Sequence, residues 1–182
     1  MLAITGVSFG WLMIETKKPL LKLLFGILWL AFIPNTIYLL TDLIHLPEQM
    51  PYVTGVYRFL VVLQYVFVFL SGLVTFVYGV YPLEKFFMAK YKKKNSNSGL
   101  MAVLFINFLI AFGVTMGRFQ RTNSWEIFSN TQKFITDAKG VAHSLELLAF
   151  VFLFGVLGNC IYFLLKERVI FLKPQEKKKQ RR

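Results

Sequence analysis

Cysteine, histidine and charged side chains are all scarce in this chain of 182 residues. The single cysteine, Cys160, excludes an intramolecular disulfide, and its position inside an apolar run predicts a small, buried side chain. The two histidines fit no established zinc spacing, so we expect no metal and the sequence identifies no cofactor. P-loop, nucleophile-elbow, His-Glu-x-x-His and EF-hand patterns are also absent, so no enzymatic reaction can be assigned from a motif.

Long hydrophobic runs dominate what remains. Charged residues make up 16% of the chain, against about 25% in an ordinary soluble domain. Hydrophobic residues make up 56%, more than a soluble core of this size could bury. Four runs approach or exceed the roughly 20 residues that a helix needs to cross a bilayer, namely residues 19–46, 52–81, 99–117 and 142–165. They lack the alternation of barrel strands. The sequence therefore predicts an all-α, polytopic helical membrane protein.

The first apolar segment, "MLAITGVSFGWLMIE", is short for a membrane span. No basic residue precedes it, unlike in a secretory signal peptide. We interpret it as a short or tilted first helix, which gives about five transmembrane helices. One alternative is a helix lying flat at the interface. The other is a first helix over residues 1–16 that is truncated because the start codon was placed late in a longer gene.

The basic residues predict the orientation. If five helices alternate in direction, the whole formal charge of +12 falls on one side and the other side is neutral. Excess lysine and arginine marks the cytoplasmic side, so the N-terminus is expected outside and the C-terminus inside. This organisation gives one transmembrane domain over residues 1–165, with a cytoplasmic loop at about 82–98 and an outer loop at about 118–141, followed by a cytoplasmic tail over 166–182. We expect a multi-pass protein of the plasma membrane.

The basic loop and tail favour binding to anionic lipids of the inner leaflet, at about 1 kcal/mol per basic residue near the surface. Nucleic acid is not an expected partner, because both segments flank membrane spans and neither has an accompanying fold.

The stretch "PNTIYLLTDLIH" interrupts the first long run with polar groups. At 100° per residue in a continuous helix, Asn35, Tyr38, Asp42 and His45 fall within an arc of about 80°. Such a polar stripe must face protein or water rather than lipid.

Pro34 predicts a bend just before this stripe. Proline has no backbone N–H and disturbs the carbonyl of Leu30, four residues earlier. The side chain of Asn35 or an ordered water is expected to satisfy the freed group.

A second polar cluster, "GRFQRTNSWEIF" at residues 117–128, follows the apolar run over residues 99–117. Gly113 and Gly117, the first residue of the cluster, form a pair of small residues that lets another helix approach closely. The predicted topology places this cluster on the same outer boundary as the stripe. The expected ligand-binding residues are Asn35, Tyr38, Asp42, His45, Arg118, Arg121, Asn123 and Trp125.

The chemistry of these groups leaves alternatives open. Asp42 is expected to form an interhelical ion pair with Arg118 or Arg121, or the arginines bind an anionic group such as a phosphate or carboxylate, and the two roles can coexist. Asp42 also lies one turn before His45, where it could orient the imidazole ring. Asp42 and His45 are therefore candidate catalytic residues, against a simple capping or packing role for the histidine. A metal site from Asp42, His45, His143 and Glu146 is less favoured.

Other polar groups carry weaker expectations. The stretch "SWEIFSNTQKFITDA" predicts a short interfacial helix with Trp125, Phe128 and Ile135 on one side. Three polar side chains lie inside the predicted spans and are expected to form interhelical hydrogen bonds: Gln64, Asn107 and Asn159.

The two polar motifs together resemble a bacterial integral-membrane family, domain of unknown function 1361. Its pattern pairs a Pro-Asn…Tyr…Thr-Asp…His-Leu helix with a Gly-Arg-Phe-x-Arg-Trp-Asn-Ser-Trp-Asp segment. The chain departs from the pattern at Thr122, where the family tends to have tryptophan, and at Glu126, where it tends to have aspartate. Arg58 stands where the family often has an acid. The resemblance implies a membrane fold and no established activity.

Three hypotheses for the function follow. The first is a binding or transport protein for a small polar or anionic ligand, which as a transporter would need to oligomerise. The second is an enzyme acting on lipid or envelope-precursor head groups at the outer interface. The third is an accessory subunit whose polar motif only stiffens the outer face.

Overall fold

The computed structural model describes residues 1–91 and 97–170, and this part of the chain contains helices and no β-strand. The α-helices are α1 (Leu2–Glu15), α2 (Pro19–Phe32), α3 (Pro34–Thr41), α4 (Leu46–Gln49), α5 (Val56–Tyr91), α6 (Asn97–Phe119), α7 (Glu126–Ser129), α8 (Thr131–His143) and α9 (Leu145–Ile170). Short 3-10 turns cover Asp42–His45 and Met50–Tyr52.

Four helical segments within the described residues are long and apolar enough to cross a membrane. They are Pro19–Tyr52, Val56–Met88, Gly99–Phe119 and Leu145–Ile170. The prediction of a polytopic helical membrane protein is therefore confirmed. The fifth expected helix, α1, is shorter than these four. It packs against α2 and α5, with Met13 in the hydrophobic core.

Two buried asparagines join α6 to α9. Asn107 Nδ2 donates to Asn159 Oδ1 at 2.8 Å, as expected for polar groups inside a membrane bundle. Gln64 was also expected to form an interhelical hydrogen bond, but it is exposed and forms no hydrogen bond within the described chain. Its face of α5 also carries Leu60 and Phe67, which are 50% and 71% exposed, so this face points away from the bundle.

The face of α9 that packs inward carries Gly155, Gly158, Asn159 and Tyr162. Cys160 lies outside this set and is exposed, so the expectation of a buried cysteine is wrong. Sequence alone does not say which side of an almost wholly apolar helix meets its neighbours.

One end of the bundle gathers basic side chains from distant helices. The described contacts are Lys22 above the ring of Phe86, Lys85 above the ring of Trp11, and Lys166 Nζ at 2.9 Å from Glu84 Oε1. Lys92–Lys94 and the tail from residue 171 lie outside the described residues. The segment expected as a loop from about residue 82 begins as helix, because α5 continues through Pro82.

Glu84 is buried at this basic end, with 7% of its surface exposed. Tyr162 donates its hydroxyl hydrogen to one carboxylate oxygen of Glu84, and Lys166 contacts the other. A carboxylate inside a packed bundle requires such partners. The three side chains therefore tie the end of α5 to α9.

Candidate functional site

The site begins at the break between α2 and α3. As predicted, Pro34 interrupts the helix: α2 ends at Phe32 and α3 begins at the proline. Asn35 Nδ2 donates to the carbonyl oxygen of Phe32 at 2.9 Å. The side chain thus satisfies a carbonyl of the break, although the carbonyl belongs to Phe32 rather than to Leu30 as expected.

Helix α6 approaches this break closely, because it presents a glycine there. A Cβ atom on Gly113 would lie 2.7 Å from Pro34 Cγ, and one on Gly117 would lie 3.7 Å from the ring of Tyr38. The predicted role of the glycine pair is confirmed most clearly at Gly113. This approach brings the guanidinium of Arg118 to 5.8 Å from the centre of the Tyr38 ring.

A sharp turn after α6 folds the rest of the motif back over the break. Arg121 has a φ of 53°, a left-handed conformation that is uncommon for residues other than glycine. Thr122 Oγ1 then donates to Asp137 Oδ2 at 2.6 Å, which fastens the turn to α8. Two residues further on, Ser124 Oγ accepts a hydrogen bond from Asn35 Nδ2 at 3.0 Å. The two polar motifs are therefore in direct contact.

The imidazole of His45 lies between a base and an acid. Arg118 Nη2 is 3.2 Å from His45 Nε2, and Glu48 Oε2 is 3.0 Å from His45 Nδ1. An arginine can only donate, so Nε2 accepts and the ring proton sits on Nδ1, where it is donated to Glu48. In this geometry His45 is a neutral acceptor for Arg118.

Two contacts expected of Asp42 are wrong. Its carboxylate forms no ion pair with Arg118 or Arg121, all three being described residues, and the acid that binds His45 is Glu48. The α-helix ends one residue before Asp42, and a 3-10 turn leads from Asp42 to His45.

The two motifs, together with residues 1–3, line one open cavity of about 840 Å³. Seven of the eight expected ligand-binding residues line it: Asn35, Tyr38, His45, Arg118, Arg121, Asn123 and Trp125. The eighth, Asp42, is not part of the wall. Sequence reasoning missed the contributions of Thr122 and Ser124, both inside the second motif, and those of residues 1–3 at the start of α1. Nothing in the sequence of α1 signals that role.

The charge of the cavity wall is positive. Arg118 and Arg121 both line it, whereas no aspartate or glutamate of the described chain does. Neither arginine forms an ion pair with a carboxylate in residues 1–91 and 97–170. The arrangement therefore presents two permanent cations to the space between the motifs.

The acids near the second motif have other partners. Glu126 accepts from Lys133 Nζ at 2.8 Å and from the backbone N–H of Asn123 at 2.8 Å. The hydrogen bond from Lys133 is the main cause that lowers the pKa of Glu126 below its usual value. Glu126 thus fixes the segment that carries Asn123 and does not neutralise the arginines.

Other candidates lie apart from the cavity. His143 is exposed on α8 with its Nδ1 at 2.7 Å from the carbonyl of Lys139, and Glu146 is exposed on α9. Within the described ranges, no three His, Cys, Asp or Glu side chains are placed to hold a metal ion. The single interfacial helix expected over this region is wrong, because Asn130 ends α7 and caps α8.

Comparison with known proteins agrees with the resemblance of the two motifs. No curated protein and no solved structure matches the chain. A family model, described as "Protein of unknown function (DUF1361)", matches residues 1–161, which include every residue of the cavity wall. The chain therefore belongs to this family.

Proposed function

We propose that this multi-pass protein binds a small anionic group, such as a phosphate or a carboxylate, in the cavity between α3 and the turn after α6. The observation that carries the proposal is that Arg118 and Arg121 line a cavity of about 840 Å³ whose described wall contains no carboxylate. A planar guanidinium forms paired hydrogen bonds with phosphate and carboxylate oxygens.

The neighbouring groups suit this ligand. Asn35, Asn123 and the hydroxyl of Tyr38 add hydrogen-bonding groups to the same wall. Arg118 is half-buried, so its charge is screened less than that of a surface residue. The left-handed backbone at Arg121 is also suggestive, because residues held in such conformations cluster at ligand sites.

The cavity faces the exterior of a plasma membrane in this proposal. Lys22, Lys85 and Lys166 gather at the opposite end of the bundle, and the lysine-rich side of a membrane protein faces the cytoplasm. Anionic lipids of the inner leaflet are the proposed contacts of that basic end.

Anion binding is tested by thermal unfolding of the purified full-length chain in detergent, titrated with sodium phosphate, pyrophosphate or succinate at constant ionic strength. A ligand that binds only the folded state raises the unfolding temperature, by an amount set by its concentration relative to Kd. At least one of the anions is expected to raise it for the wild type. Arg118→Gln and Arg121→Gln remove one charge each and are expected to weaken the effect.

Arg58→Gln is the matched control. Arg58 is exposed and lies outside the cavity wall, yet its substitution removes the same charge. The proposal is contradicted if none of the three anions stabilises the wild type, or if Arg58→Gln weakens the response as much as Arg118→Gln does. If Arg118→Ala only lowers the yield of folded protein, the accessory-subunit hypothesis gains instead.

Transport through the same site is the second candidate function. The helix break at Pro34 lies within the apolar segment Pro19–Tyr52, and interrupted helices build substrate sites in transporters. Uptake of radiolabelled phosphate into proteoliposomes is expected to fall for Asn35→Leu. A folded wild type that moves none of the anions that stabilise it would limit the function to binding.

A further inference from the structure

A second, smaller cavity of about 270 Å³ adjoins the polar one. The two cavities share five wall residues, which are Pro34, Gly113, Thr122, Asn123 and Ser124. Beyond these, the second cavity is apolar and runs between α2 and α6 beneath α7 and α8. We call it the α2–α6 groove, and its apolar wall includes Ile27, Leu30, Leu109, Phe112, Ile127 and Phe134.

The α2–α6 groove opens toward the surrounding lipid. Ile27 is 48% exposed, Leu30 is 39% exposed and Leu109 is 40% exposed, although all three lie in segments apolar enough to span a membrane. Exposed side chains at that depth meet hydrocarbon rather than water. The polar cavity at the end of the bundle therefore shares a wall with a groove that lipid chains can enter from the side.

We propose that the anionic group bound by the arginines is the head group of a lipid, with one hydrocarbon chain of that lipid lying in the α2–α6 groove. This inference rests on the proposed anion site. Charge complementarity places the head group beside Arg118 and Arg121, and the shared wall at Asn123 and Ser124 sets the groove directly next to that head-group site. A water-soluble anion would fill the polar cavity and leave the groove to bulk lipid.

The two parts of the ligand contribute differently. A chain that moves from the bilayer into the groove exchanges one apolar environment for another, so it gains little from the hydrophobic effect. The arginines supply most of the affinity, through hydrogen bonds assisted by charge. The groove favours a ligand that carries a hydrocarbon chain, because most of its wall is apolar.

Native mass spectrometry of the full-length chain, released from detergent after equilibration with dioleoylphosphatidic acid or dioleoylphosphatidylcholine, tests this inference. The wild type is expected to retain the anionic lipid in preference to the zwitterionic one. Leu109→Trp fills the groove from α6, and Ile27→Trp fills it from the opposite wall. Each is expected to reduce retention of phosphatidic acid about tenfold, the change that corresponds to 1.4 kcal/mol, while stabilisation by soluble inorganic phosphate is unchanged.

The matched control is Leu63→Trp, a lipid-facing position on α5 that is 52% exposed and lies outside both cavities. It is expected to leave retention at the wild-type level. If both groove variants keep phosphatidic acid while responding to phosphate, or if Leu63→Trp loses it equally, the chain does not occupy the groove and this inference is overturned. If Arg118→Gln changes neither phosphate stabilisation nor lipid retention, the anion site itself is refuted.

Discussion

Asn35 Nδ2 lies 3.0 Å from Ser124 Oγ, although 89 positions separate the two residues in the chain. The same nitrogen also donates to the carbonyl of Phe32 at the helix break. One amide group therefore donates both to a backbone carbonyl at the helix break and to the turn that carries the arginines.

Replacing Asn35 is expected to loosen both attachments. Asn35→Leu leaves the Phe32 carbonyl without this donor, and an unsatisfied buried polar group costs about 1–3 kcal/mol. Ser124→Ala removes only the bond between the motifs, at about 0.5–1 kcal/mol. The free energy of unfolding in a mixed-detergent titration measures both. If Ser124→Ala lowers the free energy of unfolding as much as Asn35→Leu does, or more, the hydrogen bond from Asn35 to the Phe32 carbonyl does not stabilise the helix break.

The buried carboxylate of Glu84 predicts an asymmetry between its own substitution and that of its partner. Lys166→Met leaves a buried charge without its cation and is expected to cost about 3–5 kcal/mol. Glu84→Gln removes the charge itself and leaves Lys166, which is partly exposed, to reach water, at about 1 kcal/mol. Unfolding free energies at neutral pH test the order. The account of this end of the bundle fails if Glu84→Gln is the more damaging change.

The lowered pKa of Glu126 predicts that low pH loosens the second motif. Because the folded pKa lies below the ordinary value of 4.5, the contacts of Glu126 with Lys133 and Asn123 stabilise the fold fully above that value. The contribution is lost as the pH falls through the lowered pKa. The protection of the Asn123 amide from hydrogen exchange, measured against the rate of an unstructured amide at the same pH, is expected to fall there. Glu126→Gln, which cannot ionise, should abolish this pH dependence, and an unchanged profile in that variant would assign the titration to another group.

The distribution of the lysines predicts the sidedness of the protein, which can be measured. In a Cys160→Ala background, single substitutions Arg121→Cys and Lys85→Cys mark the cavity end and the basic end of the bundle. A membrane-impermeant maleimide added to intact cells is expected to label position 121 and to reach position 85 only after permeabilisation. The reverse pattern would place the cavity on the cytoplasmic side.

The sequence was most informative where local chemistry decides the structure. Pro34 cannot continue a hydrogen-bonded helix, and Gly113 has no side chain to keep another helix away, so both features were predictable. The alternation of the helices also predicts that the stripe and the arginine motif lie at one end of the bundle, and the structure places them together there. Those three arguments account for seven residues of the cavity wall.

The rest depends on packing between distant segments. The acid that contacts His45 is Glu48 in α4, and no local pattern decides between Glu48 and Asp42, each three residues from the histidine. The burial of Glu84 requires Tyr162 and Lys166 from a helix about 80 positions away. Likewise, the exposure of Cys160 follows from which face of α9 packs inward. None of these has a local signal.

The central claim is that the two polar motifs lie side by side, and cross-linking in native membranes tests it most directly. Asn35→Cys and Ser124→Cys are combined in a Cys160→Ala chain and oxidised with copper phenanthroline, with Asn35→Cys plus Lys85→Cys as the control pair. We expect an intramolecular disulfide for positions 35 and 124 and none for the control. Free thiols at positions 35 and 124 after oxidation of folded protein, or equal cross-linking of the control, would contradict the account.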